Sequence, residues 1–117
     1  MSYVDIFVAP VPSTHLEQYK KHAEIAAKLF KEYGALNVVD CWGDDVPDGK
    51  LTSFPMAVKL KEGETVVAGW LIWPDKATRD AGMAKMMADP RMQPDVNPMP
   101  FDGQRMIFGG FKFIIQA

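Results

Sequence analysis

The segment Val66-Val-Ala-Gly-Trp-Leu-Ile-Trp73 contains no charged side chain, and it constrains the fold of this 117-residue chain more than any other segment. Successive side chains of a strand point to opposite faces of its sheet, so this strand presents apolar groups on both faces. Val67, Leu71 and Trp73 share one face, and Trp70 belongs to the other. A sheet that contains such a strand needs cover on both sides.

Other segments share the β-branched and aromatic composition of strands. The predicted strands are Tyr3–Ala9, Leu36–Trp42, Phe54–Leu60, Val66–Trp73 and Met106–Ile115. Gly109-Gly110 is expected to form a β-bulge in the last of them. Pro47-Asp48-Gly49 has the composition of a turn and separates the second strand from the third.

Two segments have the pattern of helices. The first carries one apolar stripe, formed by Leu16, Tyr19, Ala23, Ala26, Phe30 and Tyr33. Thr14 and Glu17 have the spacing of a capping box at its start, and Gly34 supplies a left-handed residue at its end. The second helix is predicted to begin after Asp75 as its N-cap and to end at Asp89-Pro90.

We predict one α+β domain over residues 1–117, with a ferredoxin-like β-α-β-β-α-β order and a four-stranded antiparallel sheet, which uses four of the five predicted strands. Two helices cover only one side of such a sheet. The simplest cover for the other side is the same face of a second copy, which predicts a homodimer with a cavity between the two sheets. The alternative is that the proline-rich loop at residues 89–105 folds over that face in a monomer.

The composition excludes several classes of protein. With 48% hydrophobic and 24% charged residues, the chain is globular, and a net charge of −2 gives no basic field for nucleic acid. The single Cys41 allows no intrachain disulfide, and no basic segment precedes Asp5 as in a signal peptide. The longest apolar run, Val66–Trp73, is too short to span a membrane. We therefore expect a cytoplasmic protein.

Several blocks of sequence together resemble the YbaA-like family, a bacterial group of unknown function in the dimeric α/β-barrel superfamily. The blocks are Asp40-Cys-Trp42, Asp45-Val-Pro-Asp-Gly-Lys50, Lys85-Met-Met, Asp89-Pro-Arg-Met92, Met99-Pro-Phe-Asp-Gly103, Arg105-Met-Ile and Gly109-Gly-Phe111. The resemblance covers nearly the whole chain. It implies a ferredoxin-like fold and a barrel-forming dimer, and it implies no activity and no catalytic residues.

Acidic and aromatic side chains on the predicted strands form a candidate site. If the first strand directs Tyr3, Asp5 and Phe7 into the inter-sheet cavity, Asp5 lies in a partly apolar space. Asp40 and Trp42 share one face of the second strand. A carboxylate in such a cavity has a raised pKa and can act as a general base.

The alternative for these acids is an ion pair across the dimer, and the candidate partners are Lys59, Arg91 and Arg105. The candidate catalytic or polar residues are Asp5, Asp40 and Arg105, and the candidate ligand-binding residues are Tyr3, Phe7, Trp42 and Trp70. One function that fits is binding or transformation of a small, partly aromatic molecule in the inter-sheet cavity. The other is a non-enzymatic dimeric interaction module that uses the proline-rich loop. Whether the protein is an enzyme stays open.

The remaining reactive side chains indicate no metal or cofactor. His15 and His22 lie seven residues apart on one side of the first helix, and the chain has no His-x-x-x-His or Cys-x-x-Cys spacing. Cys41 is expected to be a small buried hydrophobic residue. Six of the eight methionines fall between Met83 and Met106 and form an adaptable surface for loop packing or for a variable ligand.

Overall fold

The computed structural model describes residues 2–117 of the protein. These residues are organised around a four-stranded antiparallel sheet. The strands are β1 (Tyr3–Pro12), β2 (Asn37–Trp42), β3 (Glu64–Trp73) and β4 (Ile107–Lys112), in the sheet order β2-β3-β1-β4. The helices are α1 (Leu16–Glu32), the short α2 (Phe54–Ala57) and α3 (Lys76–Ala88). This order confirms the ferredoxin-like α+β fold.

The predicted strand Phe54–Leu60 is wrong, and the chain forms the short helix α2 there. The hydroxyl of Ser53 accepts a hydrogen bond from the Met56 N–H at 3.1 Å, which caps a helical turn. Lys59 then has a φ of 51°, in the left-handed region. Val58 is fully buried against β1 and β3. The alternating apolar pattern of this segment therefore reflects a packed turn at one end of the sheet.

Two smaller predictions are also wrong. Ser13–His15 forms a 3₁₀ turn, and α1 begins with His15 as an N-cap whose side chain does not cap the helix, so the capping box at Thr14 is absent. Gly109 and Gly110 pair with β1 in an uninterrupted register, so they form no bulge. A Cβ at Gly110 would overlap the ring of Tyr3. Close approach of a side chain, rather than a break in pairing, explains the glycine at this position.

The predicted helix ends are otherwise confirmed. Gly34 has a φ of +112° directly after the last turn of α1 and its C-cap residue. The carboxylate of Asp75 accepts a hydrogen bond from the Thr78 N–H at 2.7 Å and caps α3. Both ends follow from local chemistry that involves only neighbouring residues.

The two faces of the sheet have different surroundings. On the helix face, side chains of β1 and β3 pack in clusters with α1 and α3. We call the other side the open face. The strand register places on it Val4, Ile6, Val8, Asn37, Val39, Cys41, Ala68, Trp70, Ile72, Ile107, Gly109 and Phe111. Val58 and Leu60 pack over one end of this face. None of the twelve side chains carries a formal charge.

Gly82 lets α3 approach the sheet closely. A Cβ there would lie 2.6 Å from Cζ3 of the buried Trp73 and 3.0 Å from the carbonyl oxygen of Tyr33. We expect Gly82→Ala to lower the free energy of unfolding by about 1–2 kcal/mol, because overpacking outweighs the gain of about 1 kcal/mol in helix propensity. Urea denaturation measures this change.

Gly103→Ala is the matched control. Its Cβ would meet only the flexible end of Met99, at 3.3 Å, so we expect little change in stability. If Gly82→Ala unfolded at the same urea concentration as the unaltered protein, the proposed contact between α3 and Trp73 would be refuted.

Candidate functional site

A cavity of about 320 Å³ lies between the helix face of the sheet, α1 and the loop at residues 89–105. Its wall is almost entirely apolar. The main wall residues are Phe7, Ala23, Ala26, Ala27, Phe30, Met83, Met92, Met99, Phe101, Met106 and Phe108. Its polar groups are Asp5, Tyr19, His22 and Asp40. This volume is at the lower end of the range for small-molecule sites in proteins.

The cavity exists because α1 turns small side chains toward the sheet. Ala23, Ala26 and Ala27 all lie along its wall, and they belong to the face of α1 that the apolar stripe predicts to be inward. An alanine fills little of the space that a leucine or phenylalanine would occupy at the same position. The space between helix and sheet is therefore left open over a little more than one turn of α1.

The proline-rich loop at residues 89–105 forms the roof of this cavity. Two histidines of the helical region hold the middle of the loop: Nδ1 of His15 lies 3.1 Å from the carbonyl oxygen of Pro100, and Nδ1 of His22 lies 3.1 Å from Oδ1 of Asn97. The loop thus packs on the α1 side of the molecule. The alternative that it folds over the open face is wrong.

One end of the loop is held by ion pairs. Arg91 contacts Asp89 at 2.7 Å and Glu32 of α1 at 3.0 Å. Tyr33 donates a further hydrogen bond to Asp89. The Arg91 guanidinium, together with the Tyr33 hydroxyl, holds the pKa of the Asp89 carboxyl well below its usual range. Asp89 is therefore a charged, buried anchor.

Arg105 holds the other end of the loop. Its guanidinium contacts Glu64 at 2.6 Å, Asp102 at 3.0 Å and the carbonyl oxygen of Lys59 at 3.0 Å. Its hydrogen bonds to Glu64 lower the pKa of that carboxyl from 4.5 to about 2. Arg105 does not line the cavity, so the structure separates it from the other two polar candidates, Asp5 and Asp40.

Asp5 lies at the cavity wall, but its hydrogen-bonding capacity is already used. Arg79 donates to both of its carboxylate oxygens, with a closest distance of 2.8 Å, and Nε1 of Trp73 donates at 2.9 Å. The same guanidinium lies over the ring of Tyr3, 5.2 Å from its centroid. The expected partners across a dimer, Lys59, Arg91 and Arg105, are wrong for Asp5, because Arg79 of the same chain neutralises it.

Asp40 forms a polar pair with Tyr19 at the cavity edge. The Tyr19 hydroxyl donates to Oδ1 of Asp40 at 2.6 Å. Burial of the ring, together with the hydrogen bond to Asp40, raises the pKa of Tyr19 well above its usual value. The phenol therefore stays protonated. Within residues 2–117, Asp40 has no cationic partner at salt-bridge distance.

The aromatic candidates divide between the two faces. Phe7 lines the cavity, Tyr3 packs beside Trp73 on the helix face, and Trp42 packs against Tyr19 with 6.4 Å between ring centroids. Trp70 lies on the open face, opposite Ile6 of β1. The expectation that Tyr3, Asp5 and Phe7 face an inter-sheet cavity is wrong. Strand periodicity separates the two faces but does not say which one the helices cover.

The expectation that Cys41 is buried is also wrong, since Cys41 is exposed on the edge strand β2.

Sequence reasoning missed Tyr19 and His22 as polar groups of the cavity, because Tyr19 belongs to the apolar stripe of α1 and His22 lies beside it. A tyrosine in place of phenylalanine within such a stripe is the signal that was available. Over residues 2–117, no three His, Cys, Asp or Glu side chains form a metal-ligand cluster. Nor is any helix in this range long and apolar enough to cross a membrane.

Comparison with known proteins gives a family and a fold. The model of a family described as "Protein of unknown function (DUF1428)" matches residues 2–103. The chain is 56% identical over 115 residues to uncharacterized protein YbaA of Escherichia coli K12 and of Shigella flexneri, with 98% of each chain covered. The crystal structure of a dimeric ferredoxin-like protein from an uncultured marine organism aligns with a TM-score of 0.61 and 11% identity, over 99% of this chain and 98% of that one. The resemblance predicted from the sequence blocks is confirmed.

The contact between Arg105 and Glu64 has a testable pH signature. Because the pKa of Glu64 is lower in the folded state, the contact contributes stability above pH 4.5 that is lost as the pH falls toward 2. We expect Arg105→Gln to flatten the decline in the free energy of unfolding over this range. Urea denaturation at a series of pH values measures the slope.

Lys20→Gln is the matched control, because Lys20 forms an exposed pair with Glu17 at 3.9 Å. We expect it to keep the slope of the unaltered protein. Asp89 titrates in all three proteins and so cancels in the comparison. Arg105 also lowers the pKa of Asp102, so the expected change in slope is the sum for Glu64 and Asp102. Identical slopes for Arg105→Gln and the unaltered protein would show that Arg105 does not stabilise the charge of Glu64.

Proposed function

Because this chain belongs to the DUF1428 family, whose function is unknown, we propose a role from its own geometry: it binds a small, partly aromatic molecule in the cavity between α1 and the sheet. The supporting observation is the cavity of about 320 Å³ with its apolar wall. The cavity is open to solvent where Phe108 is 75% exposed, so part of its apolar wall contacts water at a cost in free energy. A bound apolar molecule would offset that cost.

The wall composition favours an uncharged ligand. Phenylalanine rings offer faces and edges to a flat molecule, and methionine side chains adapt to ligands of varied shape. Among residues 2–117, neither lysine nor arginine lines the cavity, whereas the Asp40 carboxylate is at its edge. An anionic ligand would therefore meet the negative charge of Asp40, and the Arg79 guanidinium behind the wall is already paired with Asp5. We assign the site to neutral molecules with a ring system.

Naphthalene, a neutral bicyclic hydrocarbon, tests this proposal. Saturation-transfer NMR is expected to show magnetisation passing from the protein to naphthalene. Ala26→Phe fills the space under α1, so we expect it to weaken binding at least about tenfold. Ala84→Phe adds the same ring at an exposed position of α3 that does not line the cavity, and it should leave binding unchanged. Absence of transfer in the unaltered protein would rule out the proposed binding role.

We infer that the open face pairs with the same face of a second copy to form a homodimer. Its twelve positions cover about 400 Å² of sheet, taking strands about 4.8 Å apart and same-face residues about 6.8 Å apart. A standard interface buries about 800 Å² per partner, so this face supplies the core of one. Phe54 in α2 and Ile114 beyond the end of β4 are further exposed apolar residues, and an interface that reached them would bury more area. The similar marine protein is itself described as dimeric.

Sedimentation velocity tests the homodimer. At about 10 µM the unaltered protein is expected to sediment as a pair of 13.1 kDa chains. Trp70→Glu places a charge in the middle of the open face, and we expect it to weaken self-association at least about thirtyfold. Met87→Glu introduces the same charge at an exposed position of α3 and should leave the dimer intact. An unaltered protein that sediments as single chains would refute the homodimer.

The interaction module is the second candidate function, and one observation favours it. Val96 and Met99 of the proline-rich loop are 60% and 49% exposed, so the loop offers apolar side chains outward. The loop also closes the cavity with Met92 and Phe101, and this enclosing role supports the ligand-binding proposal more directly. A cytoplasmic location, and independence from nucleic acid, metals and cofactors, stay predictions from composition.

A further inference from the structure

His22 presents an imidazole to the cavity from the middle of α1. Its ring stands edge-on to Phe101, with 6.4 Å between centroids and an interplanar angle of 86°. Nδ1 lies 3.1 Å from Oδ1 of Asn97 in the loop. The ring is therefore fixed both by packing and by a hydrogen bond.

The surroundings of Asn97 determine which imidazole nitrogen carries the hydrogen. Asn97 is buried, and its amide nitrogen faces the His22 carbonyl oxygen at 3.5 Å and the Met92 sulfur at 3.4 Å. This leaves the amide oxygen toward the ring. An amide oxygen only accepts hydrogen bonds, so Nδ1 of His22 is the donor. In the neutral imidazole, Nε2 then has a free lone pair and is an acceptor.

Nε2 of His22 is accessible for a ligand. It has no hydrogen-bond partner among residues 2–117, in contrast to Nδ1. Yet within those residues every fully buried side-chain nitrogen or oxygen has a partner. Nε2 is therefore not sealed inside the protein. His22 lines the cavity, so we take the accessible Nε2 as the acceptor that a bound ligand would reach.

The other polar groups of the cavity are also acceptors or are already used. Tyr19 gives its hydrogen to Asp40, so its oxygen can only accept from a ligand. Asp5 is saturated by Arg79 and Trp73. The cavity thus offers acceptors in an apolar surrounding and no free side-chain donor among these four polar groups. A ligand that carried only acceptors would leave them unpaired, which costs binding energy.

We propose that the cavity selects an uncharged aromatic compound with a hydroxyl group, a phenol, whose hydrogen is donated to Nε2 of His22. This rests on the proposed ligand-binding function and names the class of ligand. The ring lies among the phenylalanine and methionine side chains, and the hydroxyl supplies the donor that the wall lacks. His22 is thus the residue that determines the preference of the cavity for a hydroxyl group.

Two probes of equal size test the proposal by isothermal titration calorimetry at pH 7.5. 2-Naphthol has the hydroxyl donor, and 2-methylnaphthalene has the same shape without it. We expect His22→Phe, which keeps a ring against Phe101 but removes the acceptor, to lower the affinity ratio of 2-naphthol to 2-methylnaphthalene about three- to tenfold. His22→Gln can return an acceptor oxygen near the position of Nε2, and it should recover part of the ratio.

His15→Phe is the matched control, because His15 holds the same loop through Pro100 but does not line the cavity. It should keep the ratio of the unaltered protein. An equal fall in His15→Phe would mean that the loop, and not the Nε2 acceptor, sets the preference, and this would overturn the proposal. So would an unchanged ratio in His22→Phe.

The outcomes separate this proposal from the one on which it rests. If both probes bind but their ratio does not depend on His22, recognition of the hydroxyl is refuted and the cavity remains a binding site. If the unaltered protein binds none of the three probes (naphthalene, 2-naphthol and 2-methylnaphthalene), both proposals fail. Should His22→Phe not fold, His22→Ala takes its place against the same His15→Phe control, because it removes the acceptor without adding bulk, and the same fall in the ratio is expected.

Discussion

The whole structure depends on one constraint: β3 is apolar on both faces, and one chain supplies helices for one face only. On the helix face, α1 and α3 bury Val67, Leu71 and Trp73. On the open face, Trp70 and its neighbours have only Val58 and Leu60 over one end. The hydrophobic effect acts on both faces alike, since it depends on area and not on direction. Cover for the open face is therefore a requirement of the sequence itself.

Most of the fold was predictable because its signals are local. The stripe of α1, the cap at Asp75 and the left-handed Gly34 each depend on residues a few positions apart. The segment Phe54–Leu60 was not predictable from alternation alone. Its apolar residues recur at every second position, but Ser53 and Pro55 begin a helical turn and Val58 packs against the sheet from outside. A strand-like period describes which side chains are buried, and it does not identify what buries them.

The candidate site was predictable only in part, because the strand period shows which residues share a face but not which face the helices cover. Asp5 and Phe7 of β1 and Asp40 of β2 do lie at one cavity, as expected for these candidates, but the cavity is under α1. They were assigned to the wrong face because both faces of the sheet are apolar and look alike in the sequence. Arg79, which neutralises Asp5, is 74 residues away along the chain, so no spacing rule could pair them. The same holds for His22 and Asn97, whose contact crosses from helix to loop.

The three alanines of α1 at the cavity wall have a consequence for how such a protein can diversify. They lie along one wall of the space, and each has a side chain of a single carbon atom. Replacing one by valine or leucine would remove room in steps of two or three carbon atoms while the backbone keeps a helix. The capacity of the chamber can thus be adjusted by single substitutions. The size of the cavity thus depends on one helix, separate from the strands and ion pairs that maintain the scaffold.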